Sequence, residues 1–274
     1  MQTPDTLSKT YQQKTDKQHV IDNPDTYTGS MEITPIDTYV MKNEKIIPKE
    51  INIIPGLYKL FDEGIVNCRD HQVRMSLAMK KCKANTFPVT TIEVSINDGV
   101  ITMYNDGNGI DVAKHPEYDL WIPEMIFGHL RTSTNYDKTE KKIVGGKNGF
   151  GFKLVLIWSE WGEIETVDHT RGLKYKQRFE DNLNIIQKPS ITKCKVKPYT
   201  RVTFKPDYKR LGISGLSQDM IDLFQRRTYD IAAVTDKKIK VKYNDQLIPV
   251  KNFQQYVDLY IGTKEETNRI YELS

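Results

Sequence analysis

Three cysteines, Cys68, Cys82 and Cys194, are too few and too scattered for a disulfide framework. No CxxC pair offers a zinc site or redox centre, and they read as reduced thiols of a cytosolic or nuclear protein. Long apolar runs are also missing. Nothing approaches the roughly 20 consecutive apolar residues of a membrane-spanning helix, so no membrane role is expected. Met1 to Asp25 is polar and mixed in charge, without the apolar stretch of a secretory signal. Charge of one sign is scarce as well. The formal net charge of +4 is too mild to mark a nucleic-acid binder. There are no internal repeats and no low-complexity segments. What remains is an ordinary globular balance, 38% hydrophobic and 28% charged, in a chain of 274 residues, long enough for one large domain or two small ones.

The charge that exists is concentrated. From Arg131 to Lys153 six Lys and Arg stand against Asp137 and Glu140, a net +4, so the rest of the chain sums to zero. A charge run is usually a solvated face, but this one surrounds a glycine cluster and so suggests an anionic ligand.

Hydrophobic periodicity is weak until Tyr27, which gives residues 1–30 the character of an arm. Thr38 to Glu50 reads as a strand pair or loop. At Pro55-Gly56 the pattern turns helical, with Pro in a tolerated first-turn position. With Glu63 as zero and about 100° per residue, Leu57, Phe61, Ile65 and Cys68 fall between roughly 120° and 200°. Lys59, Glu63, Asn67 and Asp70 fall within about 40° of zero, so acid, amide and acid line the face opposite the greasy one. Thr90–Ile96 and Val100–Tyr104 flank Asn97-Asp98-Gly99, a strong hairpin signal. The second strand runs into Asn105-Asp106-Gly107-Asn108-Gly109-Ile110. Short helices are expected at Pro123–Leu130 and Phe152–Trp158, and a longer one at Ser217–Val234. Strands are expected at Ile164–Val167, Tyr175–Phe179, Arg201–Phe204 and Ile239–Tyr243. Hairpin-like strands with few βαβ units predict an α+β fold: a two-layer sandwich, with helices on one face of a mixed sheet.

The glycine cluster Gly145-Gly146-Lys147-Asn148-Gly149-Phe150-Gly151-Phe152-Lys153 fits neither common phosphate motif. GxxxxGK[ST] is absent, and Leu154 stands where a third glycine would complete GxGxxG. What is present is GxxGxG opening an apolar helix. Glycines let the backbone bend around phosphates, N–H groups at a helix start hold them, and Lys153 adds a point charge. Without a ligand the same spacing is simply a flexible loop. On the Glu63 helix the dull reading is a wet face. The sharper one is a carboxylate that holds a water as general base, one turn from an amide that ligates a metal ion. Magnesium in phosphoryl chemistry needs only one or two protein ligands. Asn105 to Gly109 is either a plain turn or an amide and glycines suited to a purine edge.

Taken in order, ExxxN on a helix, [DN]xGxG and GxxGxG resemble the Bergerat ATP-binding fold of the GHKL superfamily. Within it, PDTYTGS (Pro24–Ser30), PGLYKLFDEGIVN (Pro55–Asn67), IFGHLRTSTNYD (Ile126–Asp137), GGKNGFGFKL (Gly145–Leu154), TRVTFKPD (Thr200–Asp207) and RRTYDIA (Arg226–Ala232) resemble the ATPase domain of eukaryotic-type type IIA DNA topoisomerases. The resemblance covers about Tyr11 to Tyr260. It implies ATP and magnesium as ligands, with Glu63 as general base, Asn67 on the metal and Asp70 on the same face. It implies adenine read by Asn105 with Thr200, beside Gly107, Gly109 and Ile110. Ser133, Thr134 and Asn135 match the segment on ribose and phosphates. Gly146, Lys147, Asn148, Gly149, Phe150, Gly151, Phe152 and Lys153 match the phosphate lid. Tyr11 matches a tyrosine that reaches the nucleotide of a partner subunit. The implied layout is an arm (1–30), an ATPase domain (31–262) and the start of a linker (263–274) to a transducer that would supply a QTK lysine, a motif this chain lacks. Implied partners are a second copy, joined on ATP binding, and double-stranded DNA through the longer enzyme. The implied compartment is the nucleus for a cellular enzyme, or a virus factory or virion for a viral one.

Three departures stand out. Gly64 replaces a usual bulky aliphatic, and His71 and Phe152 stand where the eukaryotic branch usually has Asn and Ala. They point to a divergent member, viral or protist, with rate more in question than activity. The other readings are a free-standing GHKL switch of the chaperone or mismatch-repair kind, a nucleotide-binding but inactive module, and a basic stretch that contacts DNA with steep salt dependence.

Overall fold

The computed structural model describes residues 15–130, 151–270 and Glu272. It opens with two short helices, α1 (Asp16–Asp22) and α2 (Pro24–Tyr27). The Thr15 hydroxyl caps α1 by accepting from the Gln18 amide, and Val20 is the one fully buried side chain in it. The described part of the expected arm is therefore largely helical. A seven-residue helix that buries one side chain leaves no periodicity to read.

Strands β1 (Thr34–Lys42) and β2 (Lys45–Ile53) form a separate antiparallel hairpin. Its turn residues Asn43 and Glu44 both lie at positive φ, the geometry of a two-residue turn matched to strand twist. Helix α3 (Pro55–Lys80) starts on its proline, as expected. Leu57, Phe61, Ile65 and Cys68 are all buried along it.

The main sheet runs β11-β10-β3-β4-β9-β5-β6-β7, with β8 also on β6. In chain order its strands are β3 (Thr91–Asn97), β4 (Val100–Asp106), β5 (Ser159–Asp168), β6 (Leu173–Glu180), β7 (Ile185–Ile186), β8 (Ser190–Lys193), β9 (Tyr199–Pro206), β10 (Lys240–Tyr243) and β11 (Gln246–Leu247). Among the described residues β10 pairs with β3 in parallel and every other pairing is antiparallel, so the sheet is mixed. Asp98 and Gly99, both at positive φ, close the β3–β4 hairpin where the sequence placed it.

One face of this sheet carries the core. Ile92, Val94, Ile101, Met103, Ile164, Val202 and Phe204 alternate inward beneath α3, α4 (Ile122–Gly128), α5 (Gly151–Ile157) and α6 (Gln218–Ala233). Phe61 stacks on Phe224 at 4.2 Å between centroids and locks α3 to α6. The opposite face is polar, with Lys174–Glu165 and Lys176–Glu163 ion pairs at 2.7 and 3.0 Å. There the Arg201 guanidinium lies over Tyr104 and Tyr199. This is the expected α+β sandwich. A last helix, α7 (Phe253–Ile261), was not foreseen. It docks through the Tyr256 hydroxyl, which meets Asp230 on α6 and lies 2.8 Å from that of Tyr260. None of its residues is fully buried, so no strong apolar stripe advertises it. No helix among the described residues is long and apolar enough to cross a membrane.

Candidate functional site

Helix α3 fixes the first wall. A Cβ on Gly64 would fall 3.2 Å from the Met103 Cε, and one on Gly107 would fall 3.1 Å from the His71 Nε2. The helix therefore runs along β4 in the same direction, which brings Asn67 and Asp70 level with the strand end at Asn105. Gly64 and His71 sit roughly 80–100° from Glu63 on the helix wheel. The polar stripe therefore overhangs the end of β4 instead of facing open water, and Asp70 is buried at 8% exposure. Glu63 is partly exposed, with the Lys59 ammonium 3.5 Å away. Its neighbour Asp62 is occupied elsewhere, accepting from the Arg227 Nε at 2.7 Å.

The second wall is the end of β4 and the turn after it. Asn105 is buried and pairs across β4–β9 with Thr200, which pairs in turn with Thr166 on β5. The Asn105 Nδ2 donates to the Asp106 carbonyl at 2.9 Å, and no donor among the described residues meets its Oδ1. Thr166 is the hub of the row. It accepts from the Ile110 amide at 2.9 Å, donates to the Tyr199 carbonyl at 3.0 Å and lies 3.0 Å from the Thr200 hydroxyl. With its proton spent on Tyr199, the Thr200 contact is donated by Thr200, which leaves the Thr200 oxygen free to accept. Gly107 has φ +98°, a conformation that side-chain-bearing residues rarely adopt. Gly109 lies so close to the Val167 carbonyl that no Cβ fits.

Two acids hold this wall, Asp106 and Asp168, neither of which carries a role in the motifs. Asp106 is buried and accepts from the Thr90 and Thr91 amides, the Thr90 hydroxyl and Lys197. These bonds keep its carboxyl below the usual range despite burial. Asp168 accepts from the Val112 amide at 2.9 Å and from Arg171 at 2.7 Å, pinning the far end of the turn. Thr166 and Asp168 stand at ordinary strand positions where no motif marks them, and Asp106 fills the variable position of [DN]xGxG.

The third wall is the start of α5. A Cβ on Gly151 would lie 3.0 Å from the Glu63 Oε1, so the helix start and the carboxylate meet at one point. Lys153, two residues on, is 2% exposed, and burial pushes its ammonium down to about 8. The Phe152 ring turns away into the core, edge-on to Phe127 and Phe204, so only its main chain is available to a phosphate. His71 is also buried at its Nε2, which has no hydrogen-bond partner among the described residues. Burial, reinforced by the Arg74 guanidinium, pushes the imidazole down to about 4.

The contacts thus join Glu63 to Gly151 at the α5 start, and Asn105, Thr200 and Ile110 to one another beside Gly107 and Gly109, while Asn67 and Asp70 follow Glu63 on α3 and Phe152 and Lys153 follow Gly151 on α5. Tyr11, Ser133, Thr134, Asn135, Gly146, Lys147, Asn148, Gly149 and Phe150 lie outside the described residues. No group of three or more His, Cys, Asp or Glu among the described residues could hold a metal by itself. A cation here would need a ligand's own oxygens.

No family model matches the chain. It is 43% identical over 263 residues to the DNA topoisomerase 2 of Acanthamoeba polyphaga mimivirus, covering 94% of this chain and 20% of that protein. Against the DNA topoisomerase 2 of Saccharomyces cerevisiae it is 40% identical over 271 residues, covering 97% and 18%. Its fold is similar to the crystal structure of the ATPase region of Saccharomyces cerevisiae topoisomerase II, with a TM-score of 0.86 at 40% identity over 93% of this chain and 66% of that one. The chain spans about a fifth of the length of the curated relatives it matches.

Proposed function

The chain is homologous to the ATPase region of type II DNA topoisomerase, and on that premise we propose that it binds ATP with magnesium and hydrolyses it. The base lies against the end of β4, where the Asn105 Oδ1 and the Thr200 oxygen are acceptors suited to an adenine amino group. The Gly107–Ile110 turn, held by Thr166 and Asp168, provides a flat backbone shelf beside it. The triphosphate runs along α3 toward the start of α5, where helix-start N–H groups and the Lys153 ammonium would favour negative charge. Glu63 then holds the attacking water and takes its proton.

Asn67 fits magnesium in its chemistry: a lone amide oxygen one turn from the base, where phosphate oxygens and water complete the shell. Bound there, the ion would offset phosphate charge. Contacts from Ser133, Thr134, Asn135 and Gly146–Phe150 to ribose and phosphates follow from the family resemblance. So do the reach of Tyr11 to a partner's nucleotide, ATP-driven pairing of two copies, and capture of a DNA duplex by the longer enzyme.

One observation carries this reading: Glu63 meets the α5 start at Gly151, the point where a terminal phosphate would sit. The test is equilibrium binding of a non-hydrolysable ATP analogue with magnesium, alongside steady-state turnover. Asn105→Ala should weaken binding about tenfold or more, the cost of one buried hydrogen bond. Glu63→Ala should still bind and lose about 10²-fold or more in turnover. A folded wild type that binds no nucleotide, or a Glu63→Ala that turns over normally, would overturn the reading.

A further inference from the structure

Two successive residues of α3 meet two successive residues of α5: Glu63 faces Gly151, and Gly64 faces Phe152. A Cβ on Gly64 would lie 3.3 Å from the Phe152 Cε2 and would also press on the Met103 side chain. The space of that missing side chain is thus shared by the Met103 side chain, which lies nearest, and the Phe152 ring of the other helix. That ring cannot slide, because it is 7% exposed and clamped edge-on by Phe127 and Phe204 at 5.6 and 5.7 Å between centroids. Glycine is a poor helix former, and Gly64 lies in the middle of a 26-residue helix. Its presence there leaves room for Met103 and the Phe152 ring together.

We propose that Phe152 is a positioning residue for hydrolysis: by seating its ring on Gly64 it sets the distance between the Glu63 carboxylate and the N-terminal end of α5. This rests on the reading of Glu63 as general base. Truncating the ring would let α3 and α5 close or tilt. Misplacement of about 1 Å at a reacting centre costs on the order of 10²-fold in rate. The nucleotide's other contacts, at Asn105 and Thr200, lie on the sheet and would be untouched. A residue that merely fills space predicts lost stability alone. A positioning residue predicts lost turnover with nucleotide binding kept, restored when the volume returns from the opposite side.

The experiment compares wild type, Phe152→Ala, Gly64→Leu, the double variant Gly64→Leu/Phe152→Ala, and Glu63→Ala. Each is assayed for analogue affinity and ATP turnover in the complete chain. Phe152→Ala is expected to lose about tenfold or more in kcat with affinity within about threefold. Gly64→Leu, overpacked against an intact ring, should also fall. The double variant, in which the flexible end of Met103 shifts and the leucine takes the volume the ring gives up, should recover well above the weaker single. Phe152→Ala turnover at the wild-type level, or a double variant no better than the weaker single, overturns the proposal. If Phe152→Ala does not fold, the double variant alone decides, since its recovery or failure reads the same exchange. Wild-type turnover that vanishes in Glu63→Ala but ignores Phe152 sinks this inference only. Absence of any Glu63-dependent turnover in wild type sinks the assignment of the base and this inference with it.

Discussion

His71 is a base held where burial opposes its proton. Its Nε2 is buried beside Gly107 without a partner among the described residues, and its imidazole is pushed from the ordinary 6.5 down to about 4. Between those two values the unfolded chain takes up a proton that the native chain refuses. The unfolded state binds more protons there, so stability falls as pH drops from about 6.5 toward 4. The loss should be on the order of 2 kcal/mol, allowing for a ring that is half-buried overall. His71→Asn removes the titrating group while keeping a polar side chain of similar reach. Urea midpoints at pH 7 and pH 4.5 should therefore converge in the variant by most of that difference. Parallel losses in wild type and variant would mean that the acid sensitivity belongs to other groups, the low-titrating Asp106 and Asp168 foremost.

At the level of elements, the turn after β4 tests whether backbone proximity shapes the second wall. Gly109 lies against the Val167 carbonyl, and neither main chain has a flexible end to give way. Gly109→Ala should cost at least about 1–3 kcal/mol in urea unfolding, the range of an overpacked interior, and should weaken analogue binding by displacing the turn. Gly215→Ala is the control, since nothing lies within 4 Å of its Cβ; it should stay within about 0.5 kcal/mol of wild type. Equal effects at the two sites would mean that the turn is loose. The same turn shows how far the sequence could be read. Asn105, Gly107 and Gly109 were visible because an amide and glycines after a strand are an uncommon string. Glu63, Asn67 and Asp70 were visible because a helix repeats every 3.6 residues. Thr166 and Asp168, which hold Ile110 and Val112, were invisible because their role comes from strand register across β4, β9 and β5. Register is set by long-range pairing, and no local pattern encodes it. Helices α1 and α7 escaped for a different reason: each buries too little to leave a stripe.

At the scale of the whole molecule, the site gathers groups from four distant stretches of chain: 63–70 on α3, 105–110 after β4, 151–153 on α5, and Thr200 on β9. The unfolded chain has no such site, so a nucleotide that spans the walls should bind the native state alone and stabilise it by mass action. At a ligand concentration about 100 times Kd the gain is about 2.7 kcal/mol, and for a domain of this size that raises Tm by roughly 5 °C or more. Asn105→Ala should abolish most of this shift while leaving the unliganded Tm nearly unchanged. The reason is local: the Nδ2 bonds only to the carbonyl of the next residue, so no other element depends on it. A melt of both proteins with and without the magnesium–ATP analogue separates the cases. A large drop in unliganded Tm with the ligand shift intact would make Asn105 part of the scaffold and move the adenine contact elsewhere along the β4–β9–β5 row. A lost shift on an unchanged baseline would make it a ligand contact, with the fold carried by the core beneath the helices and not by the nucleotide.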